Sequence, residues 1–318
     1  MSARVGSAGP QVTELAELAR AVATETGDLL LSRHGQATVV QTKSSPTDVV
    51  TEMDTLAEAL IRRRILAARP GDAILGEEGG EVGTGAAVRW IVDPLDGSVN
   101  YLYGLSDWAV SIAAEVDGQV VAGAVSVPLH QSLFFAAAGG GAWLRSDWRP
   151  GEQRLSCTTG VALADALVGT GFGYSAPRRV VQGQVVASVL PRVRDIRRAG
   201  AAAVDLCSLA AGRLDAFYER GLHEWDFAAG GLIAREAGAL VGGLHGGPPS
   251  ESMILAAGPG LFAELHDLLA KLDPERDALS PPPPRASHTR PAQHPAPPTQ
   301  YPRQHHDHGT ASVNRGLC

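Results

Sequence analysis

Hydrophobic positions along this chain recur with two different periods. From about Val12 to His34, the residues Leu15, Leu18, Ala19, Val22, Leu29 and Leu30 fall at helical spacing, and Gly35 supplies a stop. That spacing predicts an amphipathic helix. A second helical pattern runs from about Asp54 through Leu56, Leu60, Ile61, Ile65 and Leu66, and ends at Arg69-Pro70-Gly71, which cannot continue a helix. Arg62, Arg63 and Arg64 are expected on or beside its solvated face. Between Val88 and Phe135 the texture changes to short alternating, β-branched runs: V-R-W-I-V, W-A-V-S-I-A-A-E-V and Q-V-V-A-G-A-V-S-V. Asp117-Gly118, between the last two, signals a hairpin, because both central positions of the tight turn need positive φ. An antiparallel sheet is predicted here. After Ser156 strands alternate with Ala-rich helical patterns, notably Gly200 to Gly212 and Asp226 to Gly238.

The pattern divides the chain into an N-terminal α+β half (1–155), a C-terminal α/β half (156–279) and a tail (280–318). Nine of the 21 prolines and five of the 10 histidines lie in that tail. It cannot bury enough apolar surface to offset its ordering entropy, so disorder is expected. Its His305 to His308 cluster is suited to no more than adventitious transition-metal uptake. No solenoid-type repeat is present.

Composition narrows the function. With 318 residues, 44% hydrophobic and 19% charged, the chain can form one large domain or two intimately packed ones. A net charge of −7 argues against nucleic acid as a partner, because phosphate backbones need clustered positive charge. Three cysteines, Cys157, Cys207 and Cys318, show no paired spacing, and Cys157 and Cys207 sit in apolar surroundings that suit core positions. A reducing, cytoplasmic location is expected. No leader-like segment and no apolar run of ~20 residues occurs, so neither export nor membrane insertion is expected.

The chemistry concentrates in W-I-V-D-P-L-D-G-S-V-N, Trp90 to Asn100. Carboxylates just beyond a strand end are held rigidly, and Pro94 bends the chain so that Asp93 and Asp96 can face one point. Two fixed carboxylates repel unless a cation lies between them, and an all-oxygen site suits hard Mg²⁺. Gly97 permits close backbone approach, and the amides near Ser98 can face an anion if a helical turn opens there. Glu77-Glu78 lies between glycines after an apolar segment, and Asp226 lies where a helix begins. Taken singly, these read as a solvated acidic loop and an ordinary N-cap, and Asp93-x-x-Asp96 reads equally well as a turn.

Together, and in this order, four blocks resemble the inositol monophosphatase family of Mg²⁺-dependent, lithium-sensitive phosphatases: Lys43 to Asp54, Gly76-Glu77-Glu78, Trp90 to Asn100, and Trp225 to Gly230. The resemblance spans roughly Val12 to Leu272. It implies a layered α/β fold, the αβαβα sandwich of the sugar-phosphatase or fructose-bisphosphatase-like class, and a homodimer. It also implies a cluster of roughly two to three Mg²⁺ ions. Glu77, Asp93 and the Leu95 carbonyl would hold one ion, Asp93, Asp96 and Asp226 a second, and Glu77 a weaker third. Ser98, oriented by Asp54, would contact the attacking water, with Glu77 part of the catalytic set. The family usually has threonine at the position of Ser98, so activity is expected to survive with some reduction. Gly97, Ser98, Asp96 and Asp226 would contact the phosphate or substrate. Ala202, within Gly200 to Ala203, and Glu219 would line the pocket of the alcohol, although Glu219 also suits a surface ion pair with Arg220 or Arg213.

The implied reaction is hydrolysis of a small phosphomonoester by a metal-activated water, with myo-inositol 1-phosphate or a close polyol phosphate as substrate. Fructose 1,6-bisphosphate, histidinol phosphate and 3′-phosphoadenosine 5′-phosphate remain alternatives on the same scaffold. A regulatory role, binding the transcription or ribosome machinery, is the alternative of another class. Gly169 to Ser175 lacks the context of a dinucleotide fingerprint and is expected to mark a strand end and turn near the pocket. Arg192 to Arg198 leaves open a solvated face, an interface or a phosphate approach.

Overall fold

The computed structural model describes residues 9–36, 39–42 and 49–276. The Lys43 to Asp48 stretch, Cys318 and the Pro/His-rich tail with its His305 to His308 cluster lie outside the described residues.

The first helical pattern forms α1 (Pro10–Ser32), which ends before Gly35, a residue at φ 80°. Strands β1 (Val39–Thr42) and β2 (Val49–Thr51) pair antiparallel, and Thr51 leads directly into α2 (Glu52–Ala68). Next come β3 (Ala73–Gly76), β4 (Gly80–Val82), β5 (Val88–Asp96), the short helix α3 (Ser98–Leu102) and β6 (Ala109–Val116). They are followed by β7 (Gln119–Val127), β8 (Ser132–Ala137), β9 (Gly141–Ser146) and β10 (Arg149–Arg154). These strands form an eight-stranded sheet in the order β10-β9-β8-β7-β6-β5-β3-β4, antiparallel throughout except for the parallel β3–β5 pair. Asp117 (φ 50°) and Gly118 (φ 71°) make the β6–β7 hairpin turn that their sequence predicts.

The remainder contributes β11 (Leu167–Thr170), α4 (Ala176–Val189), β12 (Asp195–Arg197), α5 (Ala202–Ala210), β13 (Ala216–Glu219) and α6 (Glu224–Glu236). It closes with β14 (Leu240–Gly242), β15 (Ile254–Ala257) and α7 (Leu261–Leu272). Its mixed sheet has the order β12-β11-β13-β15-β14.

Side-chain alternation stacks the layers. On β5, Val88, Trp90 and Val92 pack with Leu15, Ala19 and Val22 of α1 and Ala57 and Ile61 of α2. Ile91 faces the other way, into a cluster with Ala203 and Cys207 of α5 and Ala229 and Ile233 of α6. On β13, Phe217 joins Leu206 and Ala234 of those same two helices, while Ala216 and Tyr218 turn to Val185 of α4 and Leu265 of α7. The period of two along each strand thus yields α1/α2, sheet, α5/α6, sheet, α4/α7. This is the αβαβα sandwich that the family resemblance implies. No helix among the described residues is long and apolar enough to cross a membrane.

Candidate active site

Strand register sets the first two acids side by side. In the parallel β3–β5 pair Gly76 lies opposite Val92, so Glu77 and Asp93 emerge together, and their carboxyl groups share a hydrogen bond. The sequence placed Asp93 and Asp96 just beyond a strand, but β5 continues through both. Asp93 pairs with Ser111 and Asp96 with Ala109, so three steps on β5 match two on β6. Residues three apart on a regular strand face opposite sides; this one-residue bulge returns Asp96 to the face of Asp93. Leu95 accordingly packs on the α1/α2 side with Val92. Pro94, which lacks an N–H, is tolerated at such an irregularity.

After the bulge Gly97 turns the chain at φ 85°, where a methyl group would lie 2.9 Å from the Asp107 carbonyl oxygen. Ser98 then opens α3. Asn100 Nδ2 donates to the Asp107 carbonyl (2.5 Å) and to the Ala199 carbonyl (2.9 Å), tying α3 to the segment before α5. The first turn of α5 meets Asp96, whose Oδ2 accepts from Ala203 N (2.7 Å). Asp226 is not the N-cap of α6. His223 holds that position, and Asp226 stands three residues later in a capping box, with Oδ2 accepting from His223 N (2.7 Å). Ser111 Oγ donates to the Trp225 carbonyl (3.2 Å), so the partner of Asp93 on β6 also fixes the turn that carries Asp226.

Glu77, Asp93, Leu95, Asp96, Gly97, Ser98, Ala202, Glu219 and Asp226 all line one cavity of about 480 Å³. Asp54 does not line it. Buried beside it at 1% exposure, Asp54 accepts from Thr51 N (2.8 Å) and Thr51 Oγ1 (2.7 Å), within electrostatic reach of Glu77 and Glu78. Gly171 to Ser175 form part of the wall, as expected for a strand end and turn. Arg198 faces the cavity, whereas Arg197 pairs with Asp195 and Arg194 with Asp165, so the basic run divides between site and surface. Sequence reasoning missed Thr51, Arg178, which joins the cavity wall, and Glu58, which holds the turn after Glu77. The signal for Thr51 was its place three residues before Asp54, a capping-box spacing.

Burial is the main influence on the acids, and mutual repulsion adds to it. It pushes Asp93 and Asp226 well above the usual carboxylate range, reinforced in both by Glu77 and Asp96. Asp96 is pushed up to about 7 by burial despite the Ala203 N–H, and Glu219 to about 8 by burial and by Asp205 and Asp96. Asp54 rises to about 6, its burial only partly offset by Thr51. Full ionisation of these acids would therefore put more negative charge on the wall than its surroundings compensate, although Arg198 offsets part of it at Asp96 and Glu219. Among the described residues no three His, Cys, Asp or Glu side chains already close into a metal cage. Magnesium seldom uses such cages: it binds through a few carboxylates and keeps waters and substrate oxygens as its other ligands. The acids on this open wall offer oxygen donors only, which fits it.

The layered fold and the acid-lined cavity define the class: a layered α/β protein with a cavity suited to holding metal ions. Comparison with known sequences makes this specific. The Inositol monophosphatase family matches residues 11–275, and this chain belongs to that family. Inositol-1-monophosphatase SuhB of Mycobacterium tuberculosis is 49% identical over 252 residues, covering 76% of this chain and 86% of the relative. The Nus factor SuhB of Escherichia coli is 37% identical over 228 residues, covering 71% and 83%. Among solved structures, Mycobacterium tuberculosis SuhB superposes with a TM-score of 0.72 at 41% identity, covering 84% of this chain and 100% of that one.

Proposed function

We propose that this protein is a Mg²⁺-dependent phosphomonoesterase that releases inorganic phosphate from myo-inositol 1-phosphate or a closely related polyol monophosphate. The observation that carries the reading is the convergence on one cavity of Glu77, Asp93, Asp96, Ser98, Glu219 and Asp226, drawn from segments remote in sequence. Similarity to proteins named inositol-1-monophosphatase supports the substrate class.

In this reading Glu77, Asp93 and the Leu95 carbonyl hold one cation, Asp93, Asp96 and Asp226 hold another, and Glu77 shares a third. Bound Mg²⁺ would acidify water and neutralise the phosphate oxygens and the leaving alkoxide. The chain's own residues orient the reactants. In this reading Asp54, fixed by Thr51, accepts a hydrogen bond from the Ser98 hydroxyl and so aims the Ser98 oxygen at the attacking water. Gly97 lets the backbone approach the phosphate, and Ala202 and Glu219 face the alcohol. The halves 1–155 and 156–279 divide this work between most of the cation ligands and the alcohol pocket, and we infer a homodimer as the working form.

Phosphate release from purified protein, measured across inositol 1-phosphate, fructose 1,6-bisphosphate and histidinol phosphate, tests the reading. Inositol 1-phosphate is expected to give the highest kcat/KM, with suppression by Li⁺. Faster turnover of either rival would reassign the substrate. A second reading, a regulatory role through a protein partner, is favoured by similarity to the Nus factor SuhB of Escherichia coli. Absence of phosphate release under every condition would favour it.

A further inference from the structure

We propose that Glu58 is a positioning residue that sets Glu77 for cation binding without touching the reactants. The inference rests on the reading of Glu77 as a cation ligand. Helix α2 carries Asp54 in its first turn and Glu58 one turn later, on the same face. Glu58 is only 4% exposed, and a buried carboxylate must find partners. Those it has are the backbone of the turn between β3 and β4: it accepts from Glu78 N (2.8 Å) and Gly79 N (2.9 Å). Arg62 Nε donates to Glu58 Oε1 (2.8 Å), while Arg62 Nη2 donates to the Gly80 carbonyl (2.6 Å). Arg62 is thus part of a clamp rather than of the solvated face that the sequence suggested. The carboxylate and its arginine grip the turn that begins with Glu77 from within.

The glycines of the turn fit this clamp. A methyl group at Gly76 would lie 2.6 Å from Glu58 Cδ, and one at Gly79 would lie 2.7 Å from Glu58 Oε1. Gly76 immediately precedes Glu77 and closes β3, so any displacement of the Glu58 carboxylate passes to the Glu77 backbone. One helix therefore indexes two parts of the cavity: Asp54, anchored through Thr51, and Glu77, anchored through Glu58. A simple Glu58–Arg62 pair on a helix surface would stabilise α2 without affecting cation affinity.

The experiment is Mg²⁺ titration calorimetry on the full chain, with wild type, Glu58→Ala, Gly76→Ala and the double variant compared. Groups that orient metal ligands typically change affinity by about 10–100-fold, so each single variant is expected to raise the Mg²⁺ dissociation constant about tenfold or more. Gly76→Ala keeps every charge, and the nearest atoms its methyl meets are those of the Glu58 carboxylate, so it carries the test if Glu58→Ala does not fold. In the double variant the lost carboxylate vacates the space the methyl needs, so the double is expected to be no worse than Glu58→Ala. In phosphate-release assays the Mg²⁺ midpoint is expected to shift while kcat at saturating Mg²⁺ falls much less. Unchanged dissociation constants in folded single variants, or a double-variant loss equal to the product of the singles, overturns the positioning role alone. Wild type that takes up no Mg²⁺ overturns the reading of the cavity as well.

Discussion

Ser98 offers a hydroxyl without the methyl group that would restrict its χ1. If that oxygen orients the attacking water, Ser98→Ala removes an interaction of the general-base kind, which contributes about 10²–10⁴ in rate. Turnover at saturating Mg²⁺ is expected to fall at least about 100-fold in Ser98→Ala. Ser98→Thr is expected to match or exceed wild type, as read by kcat, because the branched side chain fixes the same oxygen. At this scale the sequence was legible wherever an acid sat in punctuated surroundings. Asp93 and Asp96 flank a proline and precede Gly97-Ser98, and Glu77 stands between glycines. Glu58 was not legible, because its partners are backbone N–H groups twenty and twenty-one residues away, a pairing no local pattern encodes. For the same reason Arg62 resembled its exposed neighbours Arg63 and Arg64.

Among elements, the bulge in β5 and the capping box of α2 do the positioning. The sequence pointed to a strand followed by a turn, and Pro94 explains why: it interrupts the alternation that reveals a strand. Only pairing with β6 shows that the strand continues with one extra residue, which brings both aspartates to one face. The start of α2 was placed near Asp54, whereas Thr51 is the N-cap, and it holds Asp54 through both its amide and its hydroxyl. Replacing Thr51 with Ala is expected to cost about 1 kcal/mol in denaturant unfolding, the usual loss for a cap. It is also expected to lower kcat, because Asp54 loses the hydroxyl that fixes it. Thr51→Ser keeps the oxygen and is expected to restore both. A cap acting on stability alone would leave kcat unchanged in Thr51→Ala.

For the molecule as a whole, periodicity made individual helices and strands legible and the family resemblance implied the five layers, while the shared cavity between strand ends and helix starts required the fold. Packing so many acids around it has a thermodynamic consequence. Asp54, Asp96, Asp205 and Glu219 have folded-state values near 6, 7, 8 and 8, all above those of an unfolded chain, so the folded form binds more protons between about pH 4 and 8. Stability linked to these groups is fully present below the unfolded values and is lost as pH rises through the folded ones. In EDTA, the melting temperature is therefore expected to fall as pH rises from 5 to 8. Added Mg²⁺ is expected to raise it most at pH 8, where the carboxylates are ionised. A metal-free melting temperature that climbs over that interval would contradict the clustering of uncompensated acids.

The central claim is that acids from separate segments act as one cation-holding unit, and residues that act as a unit give strongly non-additive losses. The most direct measurement is the rate of phosphate release from myo-inositol 1-phosphate in Mg²⁺ by Asp93→Asn, Asp226→Asn and the double variant. The account predicts that either single change nearly abolishes turnover and that the double is no slower than the worse single. Independent, multiplying losses, or a single variant that retains wild-type turnover, would contradict it.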